Sequence, residues 1–415
     1  MGRVVPLDSG GKSASGRRGR NRSKTALVLG GGGFTGGVYE IGALRAFDLL
    51  AVDRTVNEFD VYVGTSAGAF VAALTANGVT PEEMMRVLNK NLPSPFPDPE
   101  LDVLLRPNYK GFLTGAALAP LRMLGMARTL LPNLRELTPM DFIIALVEML
   151  PSGFYTQSGL EDYVAEVLSD PDRHDDFRLL DNELYLPATD LDTCERVILG
   201  EGDWADVPIS TAVAASGALP MVYAPVDLKG RQLVDGGIRS TTNVDIAVER
   251  GAKLILVVNP LVPYVNEFQK RIPTMFGSRA QRVADMGFPY VGYQAFKLIA
   301  HARLHQMVQY WHEKYPGVDI ILIEPEPNDE LMFGTSIMNY SQRLAIARHG
   351  FESVTVKLAK DFDHYKEVCA RHGIEISMRR VNQVLQQVES DREESSAWRR
   401  VLEQTTGAFL RQNSA

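Results

Sequence analysis

Three short segments of this chain carry residue types that can perform acyl-transfer chemistry. The pentapeptide GTSAG, residues 64–68, places Ser66 between small residues. Asp235 stands directly before two glycines, and a run of four glycines occupies residues 30–33 after an aliphatic stretch. A hydroxyl, a carboxylate and backbone amides without side chains are the groups that a serine hydrolase needs for a covalent intermediate.

The GTSAG segment has the spacing of a nucleophile elbow. It lies between a predicted strand and a predicted helix, where a sharp turn holds the serine in a strained conformation. Gly64 and Gly68 allow the strand and the helix to approach closely, and the N–H of Ala67 points to the same side as the Ser66 hydroxyl. GTSAG alone is a weak signal in a glycine-rich chain, but its position between strand and helix strengthens it.

A serine hydroxyl becomes a good nucleophile only when a base takes its proton. Histidine is the usual base, yet none of the seven histidines follows a predicted strand end with turn residues. His301 and His305 share one helix face without a third ligand at a suitable spacing, so surface or core packing explains this pair better than a metal site. A carboxylate is therefore the expected base.

Asp235 is the carboxylate that the sequence offers for this role. It follows the apolar pair Leu233-Val234 and precedes two glycines and a helix, so its side chain would project from a strand end. An ordinary Asp-Gly turn is the alternative explanation of the same residues. An unperturbed aspartate has a pKa of about 3.9, so it can act as a base if burial raises its pKa or if proton transfer accompanies the attack.

The glycine run is also compatible with nucleotide binding. Gly31, Gly33 and Gly36 satisfy the dinucleotide fingerprint, and Asp53 lies 17 residues beyond Gly36, near the position of a ribose-binding acid. This dinucleotide-binding alternative leaves GTSAG and the Asp-Gly-Gly segment unexplained. A phosphate-binding loop is excluded because no Gly-Lys-Ser/Thr follows the run.

The surrounding sequence predicts the elements that would position these groups. Short apolar runs alternate with helical stretches, which is typical of a parallel sheet with helices on both faces. The predicted strands are Thr25–Leu29, Phe59–Val63, Leu184–Thr189, Arg196–Leu199, Leu254–Val258 and Asp319–Ile323, and the predicted helices beside the glycine segments are Val38–Leu50 and Ala67–Ala76.

The chain divides into three parts by composition. Residues 1–24 form a basic arm that is too polar to order itself, residues 25–360 form the catalytic unit, and residues 361–415 form a helical C-terminal extension. Within the unit, residues 90–150 are predicted to form a helical insertion. It is either a cap over a pocket or the core of a helical subdomain.

Composition limits the cellular setting and the partners. A net charge of −8 argues against nucleic acid as a partner. Cys194 and Cys369 lack metal or redox spacing, which fits a reducing compartment. The basic arm has no apolar segment of a signal peptide behind it, and charges and a proline interrupt the apolar run in 90–150, so no transmembrane helix is predicted. These features indicate a cytoplasmic protein, with a solvated arm or an arm that contacts anionic lipid.

GGGGFTGG, GTSAG and Asp-Gly-Gly occur in this order, with further similar segments at 188–203 and 214–226. From about residue 25 to about 358, apart from the insertion, the chain resembles the patatin-like phospholipase family. This resemblance implies a three-layer α/β/α sandwich with a mainly parallel central sheet, related to the α/β-hydrolases. It also implies hydrolysis of lipid acyl esters by a Ser–Asp dyad without a metal or another cofactor.

The resemblance also assigns roles to residues. Ser66 would be the nucleophile and Asp235 its base, and a lipid or another acyl ester would be the substrate, with contact to a membrane surface as a further expectation. The oxyanion hole would be formed by backbone N–H groups of Gly31, Gly32, Gly33, Phe34 and Ala67, and Gly236 and Gly237 complete the Asp-Gly-Gly motif.

One position departs from the family pattern. The glycine loop of the family usually carries a lysine or arginine where this chain has Thr35. A missing cation weakens anion stabilisation or loop anchoring, so a catalytically weak or inactive module that binds lipid or protein is the main alternative function. Arg239, four residues beyond Asp235, is a candidate replacement for the missing charge.

Overall fold

The computed structural model describes residues 22–89, 94–99, 101–130, 138, 147, 150–266, 272–273, 279–280, 282–329, 331–332 and 342–386. Most of the predicted basic arm, much of the second half of the predicted insertion and the end of the predicted C-terminal extension lie outside these residues, so those predictions stay untested.

An eight-stranded sheet forms the centre of the fold. Its strand order is β13-β10-β1-β2-β5-β9-β8, with β6 paired to β5. The strands of this sheet are β1 (Thr25–Leu29), β2 (Val61–Gly64), β5 (Glu183–Asp190), β6 (Arg196–Leu199), β8 (Val226–Leu228), β9 (Arg231–Asp235), β10 (Leu254–Val258) and β13 (Asp319–Ile323). Two small sheets consist of β3 (Arg106–Pro107), β4 (Gly153–Thr156) and β7 (Met221–Tyr223), and of β11 (Ile272–Pro273) and β12 (Arg279–Ala280).

Most of the central sheet is parallel. β13, β10, β1, β2 and β5 run in the same direction, whereas β6 and β9 are antiparallel to β5. The sequences of β1 and β10, TALVL and LILVV, are buried at every position. Such continuous apolar runs are typical of parallel strands that are covered on both faces.

The helices are α1 (Gly33–Leu50), α2 (Ala67–Ala76), α3 (Pro81–Leu88), α4 (Leu101–Leu104), α5 (Tyr109–Leu130), α6 (Ser158–Leu168), α7 (Ile209–Ser216), α8 (Val244–Glu249), α9 (Phe288–Lys314), α10 (Arg343–Lys360), α11 (Phe362–Arg371) and α12 (378–386). Short 3-10 helices occupy Val56–Glu58, Phe177–Leu179, Gly202–Trp204, Gly236–Ile238 and Val283–Met286.

These helices form two layers, one on each face of the sheet. Along β1, Leu27 and Leu29 belong to one core with α1, α2, α3, α6, α7 and α10, while Ala26 and Val28 belong to a second core with α8 and α9. The alternation follows from the two-residue period of a strand, which sends successive side chains to opposite faces. The three-layer α/β/α sandwich expected from the sequence is thus confirmed.

Helix α1 begins five residues earlier than predicted, at Gly33 instead of Val38. Glycine is a poor helix former, so the pattern favoured a later start. In the fold this turn passes close to Pro260: a Cβ at Gly32 would lie 2.9 Å from Pro260 Cγ, and one at Gly36 would lie 3.0 Å from the same atom. Tertiary packing therefore overrides the local propensity and requires the small residues.

The predicted insertion and the predicted C-terminal extension join the fold in different ways. The described part of the predicted insertion contains α4 and α5, and β3 ties it to the small sheet with β4 and β7. The predicted C-terminal extension packs on the main core through Phe362 and Val368 of α11 and Val381 of α12. Among the described residues, no helix has the length and the apolar composition needed to cross a membrane.

Candidate active site

Ser66 occupies the sharp turn between β2 and α2. Its backbone has φ 57° and ψ −122°, a conformation that a residue with a side chain adopts only under strain of about 1–3 kcal/mol. A Cβ at Gly68 would lie 2.6 Å from the carbonyl oxygens of Leu29 and Gly30, so only glycine fits at this position. The turn has the form of a nucleophile elbow, with the hydroxyl held at the carboxyl edge of the sheet.

The structure brings Ser66 and Asp235 together. The Ser66 hydroxyl donates a hydrogen bond to Asp235 Oδ2 at 2.5 Å, across 169 positions of sequence. Asp235 ends β9, and β5 lies between β2 and β9 in the sheet. The two side chains therefore meet above the end of β5, although they come from two strands that do not pair with each other.

Asp235 is buried, with 4 % of its surface exposed. Burial raises the pKa of this carboxyl to about 6, although hydrogen bonds from the Ser66 hydroxyl and the Gly237 N–H lower it. Gly237 N–H donates to Oδ1 at 2.7 Å, which leaves Oδ2 for the serine. The carboxylate is thus oriented by the Asp-Gly-Gly turn and is a stronger base than a solvent-exposed aspartate.

The glycine loop runs directly beside Ser66. A Cβ at Gly31 would lie 3.3 Å from Ser66 Cβ, which accounts for a glycine there. The Gly31 N–H donates to the carbonyl of Thr241 at 3.3 Å, so it points away from Ser66. Gly32 and Gly33 stand at the start of α1, where backbone N–H groups have no partner within the helix.

Two helices begin at this point. Helix α2 starts at Ala67, directly after Ser66, and α1 starts at Gly33. The N-terminus of a helix carries a partial positive charge and N–H groups directed along its axis. The arrangement can therefore stabilise a negative oxygen that forms beside the Ser66 hydroxyl.

Two side chains that the sequence did not single out form hydrogen bonds with the turn at Ser66. Ser216, the last residue of α7, accepts a hydrogen bond from the Ser66 N–H at 3.1 Å and donates to the carbonyl of Pro187 at 2.7 Å. Asn243 is fully buried and donates from Nδ2 to Thr65 Oγ1 at 3.0 Å. No local motif marks these residues, because their role depends on elements that meet only in the fold.

Arg239, the candidate replacement for the cation of the glycine loop, contacts a different segment of the chain. Thr35 is buried within the first turn of α1. Arg239 is exposed, and its guanidinium donates to the carbonyl of Cys194. Within the part of the chain that the structure describes, positive charge beside Ser66 therefore comes from the N-termini of α1 and α2.

The dinucleotide alternative requires Asp53 near the glycine loop. Asp53 follows α1, a helix of 18 residues that is about 27 Å long. The glycine loop precedes this helix, so Asp53 lies at the opposite, amino-terminal edge of the sheet, where its carboxylate accepts the N–H of Glu375 at 3.3 Å. A ribose-binding acid belongs at the carboxyl edge beside the loop, which argues against this alternative.

Several histidines contact acids outside the Ser66 site. Within the described residues, His305 bonds to Glu324, His349 to Asp329 and His372 to Asp319. The pair His301 and His305, for which sequence spacing offered no third ligand, lies beside the Glu324 carboxylate, and ligand atoms of all three residues lie within 4.8 Å of one another.

Comparison with known proteins gives a family match and several more distant similarities. The family model described as patatin-like phospholipase matches residues 27–248. The uncharacterized protein YjjU of Escherichia coli K12 is 26% identical over 348 residues, which are 81% of this chain and 78% of YjjU.

Three solved structures are similar at lower identity. VipD from Legionella pneumophila is 14% identical, with a TM-score of 0.34, over 82% of this chain and 67% of VipD. The type III effector ExoU is 15% identical, with a TM-score of 0.28, over 80% of this chain and 52% of ExoU. Human GIVD cytosolic phospholipase A2 is 12% identical, with a TM-score of 0.29, over 81% of this chain and 58% of that enzyme.

Proposed function

This chain belongs to the patatin-like phospholipase family, and on that premise we propose that it is a serine acyl hydrolase that cleaves fatty-acyl esters of lipids. The hydrogen bond of 2.5 Å between the Ser66 hydroxyl and Asp235 Oδ2 carries this proposal. A nucleophile and a base within hydrogen-bonding distance, with the base oriented by a further group, are the signature of covalent catalysis.

The reaction begins with attack of Ser66 Oγ on the ester carbonyl while its proton passes to Asp235 Oδ2. The carbonyl oxygen becomes negative and accepts hydrogen bonds from backbone N–H groups at the starts of the two helices. Gly32, Gly33 and Ala67 are the donors we favour, with Phe34 next in the first turn of α1, because the Gly31 N–H already bonds to Thr241. Each such donor contributes about 3 kcal/mol of transition-state stabilisation.

The tetrahedral intermediate then collapses to an acyl-enzyme. The ester bond breaks, and the leaving alcohol takes the proton from Asp235. In the second half of the reaction, water loses a proton to Asp235 and attacks the acyl carbonyl, which releases the fatty acid and restores the Ser66 hydroxyl. Every proton transfer uses the same carboxylate, so a histidine is unnecessary.

We expect an alkyl fluorophosphonate to label the full-length protein once, at Ser66. The phosphorus atom mimics the reacting carbonyl, and only a serine activated by a base attacks it at an appreciable rate. Peptide mass spectrometry of the labelled digest locates the adduct, and phospholipid hydrolysis is measured on the same preparation. A folded protein that neither reacts with the reagent nor hydrolyses lipid would instead support the alternative of a binding module. This alternative is motivated by Thr35, which stands where the family usually has a lysine or arginine.

A patch of exposed apolar side chains lies at the small sheet of β3, β4 and β7. It consists of Phe112 and Leu113 of α5, Phe154 of β4 and Met221 of β7. The ring centroids of Phe112 and Phe154 are 6.2 Å apart. Met221 pairs with Gly153, the residue before Phe154, in the small sheet. Leu113 is 70 % and Met221 78 % exposed. Exposed apolar clusters of this kind mark binding surfaces, and we assign this one to the surface of a lipid aggregate.

The patch is connected to the nucleophile through a short segment. Ser216 holds the Ser66 N–H, and the chain reaches Met221 five residues later. The carbonyl of Ala218, in the same segment, accepts the N–H of Asp235 at 3.0 Å. A lipid surface that contacts the patch would therefore present its acyl esters close to the dyad.

We expect the double variant Leu113→Glu, Met221→Glu to bind phosphatidylcholine vesicles several-fold more weakly than the wild-type protein. Two charges in the patch oppose its insertion among acyl chains. Vesicle co-sedimentation and hydrolysis of vesicle lipid measure the effect, and a soluble butyrate ester reports whether the dyad is intact. Leu179→Glu, at an exposed leucine of a 3-10 helix, is the matched control. Equal vesicle binding by both variants would remove the patch from the proposal.

A further inference from the structure

The cluster formed by His301, His305 and Glu324 has the composition of a metal site. His301 and His305 are four residues apart on α9, so their rings project from one face of the helix, with centroids 4.0 Å apart. Glu324 follows the last residue of β13. Two imidazoles and a carboxylate form a ligand set that zinc and similar divalent ions prefer.

The distances fit an ion between the three side chains. Glu324 Oε2 lies 2.9 Å from His305 Nε2, and Glu324 Oε1 lies 3.8 Å from His301 Nε2. Around a tetrahedral zinc ion with bonds of about 2.0–2.1 Å, neighbouring ligand atoms are about 3.3 Å apart, which lies between these two values. Small side-chain rotations therefore suffice to place all three ligands on one ion.

The fold fixes the carboxylate in this position. Asn259, which is fully buried, donates from Nδ2 to Glu324 Oε1 at 2.7 Å. Such a bond to the ligating carboxylate is a regular feature of protein metal sites, because it orients the ligand. The Glu324 side chain is 12 % exposed, while those of His301 and His305 are 22 % and 45 % exposed, so solvent can supply a fourth ligand.

We propose that His301, His305 and Glu324 bind one divalent transition-metal ion, with zinc as the best match, and that this ion ties α9 to the carboxyl edge of the central sheet. Asn259 follows β10 and Glu324 follows β13, and these two strands pair with each other on one side of β1. The ion would hold a covering helix in place and has no part in the proposed Ser66 chemistry.

Zinc titration of the chelator-treated, tag-free, full-length protein tests the site. By calorimetry we expect one zinc ion per chain, and affinity at least about tenfold weaker in each of His301→Ala, His305→Ala and Glu324→Gln. Glutamine retains an oxygen that can accept from Asn259, so Glu324→Gln isolates the loss of the ligand charge. Zinc should also raise the melting temperature of the wild-type protein more than that of these variants.

Two controls separate this proposal from general histidine binding and from the acyl-hydrolase proposal. His364 is exposed on α11, so His364→Ala should bind zinc like the wild-type protein. Ser66→Ala should also bind zinc unchanged, because the ion does not depend on the dyad. Absence of one-to-one binding, or equal affinity in the wild-type protein and the three ligand variants, would overturn the metal site and leave the hydrolase proposal unaffected.

Discussion

Ser66→Ala is expected to lower kcat/KM for ester hydrolysis at least ~10⁴-fold. Without Oγ no acyl-enzyme can form, and the remaining rate would come only from oriented water and the oxyanion donors. Alanine occupies the strained position of Ser66 about as well as serine, so the fold should persist. Initial rates with a p-nitrophenyl ester and with phospholipid measure the loss.

A matched control distinguishes loss of the nucleophile from a general effect of removing a hydroxyl. The hydroxyl of Ser169, an exposed residue after α6, donates to the carbonyl of Glu166 at 2.6 Å, and Ser169→Ala should retain full activity. If Ser66→Ala turned over substrate at the wild-type rate while remaining folded, another residue would have to be the nucleophile.

Asp235→Asn is expected to lower kcat/KM about 10³- to 10⁴-fold. An asparagine is nearly isosteric and can still accept the Gly237 N–H through Oδ1, so the turn keeps its geometry. It cannot take the proton of Ser66, and this proton transfer is the step that makes the hydroxyl reactive. The double variant Ser66→Ala, Asp235→Asn should lose little more activity than either single variant, because the two residues act as a unit.

The pH profile supplies a second measurement on the same residue. The pKa of Asp235 is raised to about 6, and the base form is the deprotonated one. The wild-type kcat/KM should therefore fall about tenfold per pH unit below this value and level off above it. The residual activity of Asp235→Asn should lack this step, whereas Asp227→Asn, at an exposed aspartate of β8, should keep it.

Stability should change in the opposite sense from activity. Because burial raises the pKa of Asp235 above that of an unfolded chain, the folded state holds this proton more tightly. The contribution of Asp235 to the free energy of unfolding is greatest at acid pH. It falls by of the order of 3 kcal/mol as the pH rises from about 4 to 6. Asp235→Asn removes this penalty, so its melting temperature at neutral pH should equal or exceed the wild-type value. A marked decrease would show that the carboxylate is needed for folding.

Local sequence was sufficient to predict much of the framework. The predicted bounds of β1, β6, β10, β13 and α2 agree with the structure, because each is a short apolar or helical run bounded by turn residues. The sharp turn at GTSAG was predictable for the same reason, because a local turn of this kind needs small residues at fixed spacing. Helix α1 was predicted less well, because its glycine-rich first turn is fixed by close packing against Pro260.

The sequence by itself determined the residue types of this protein: a serine on a sharp turn, an aspartate at a strand end, and glycines beside them. Only the tertiary structure decided which of them meet. Ser66 and Asp235 meet because β2 and β9 lie on either side of the same strand, β5. Glu324 lies beside His301 and His305 because α9 covers the end of β13. The spacing of residues along a chain determines local geometry. The contact between Ser66 and Asp235, across 169 positions, depends instead on the order of the strands. That order is established when the two helical layers pack on one sheet.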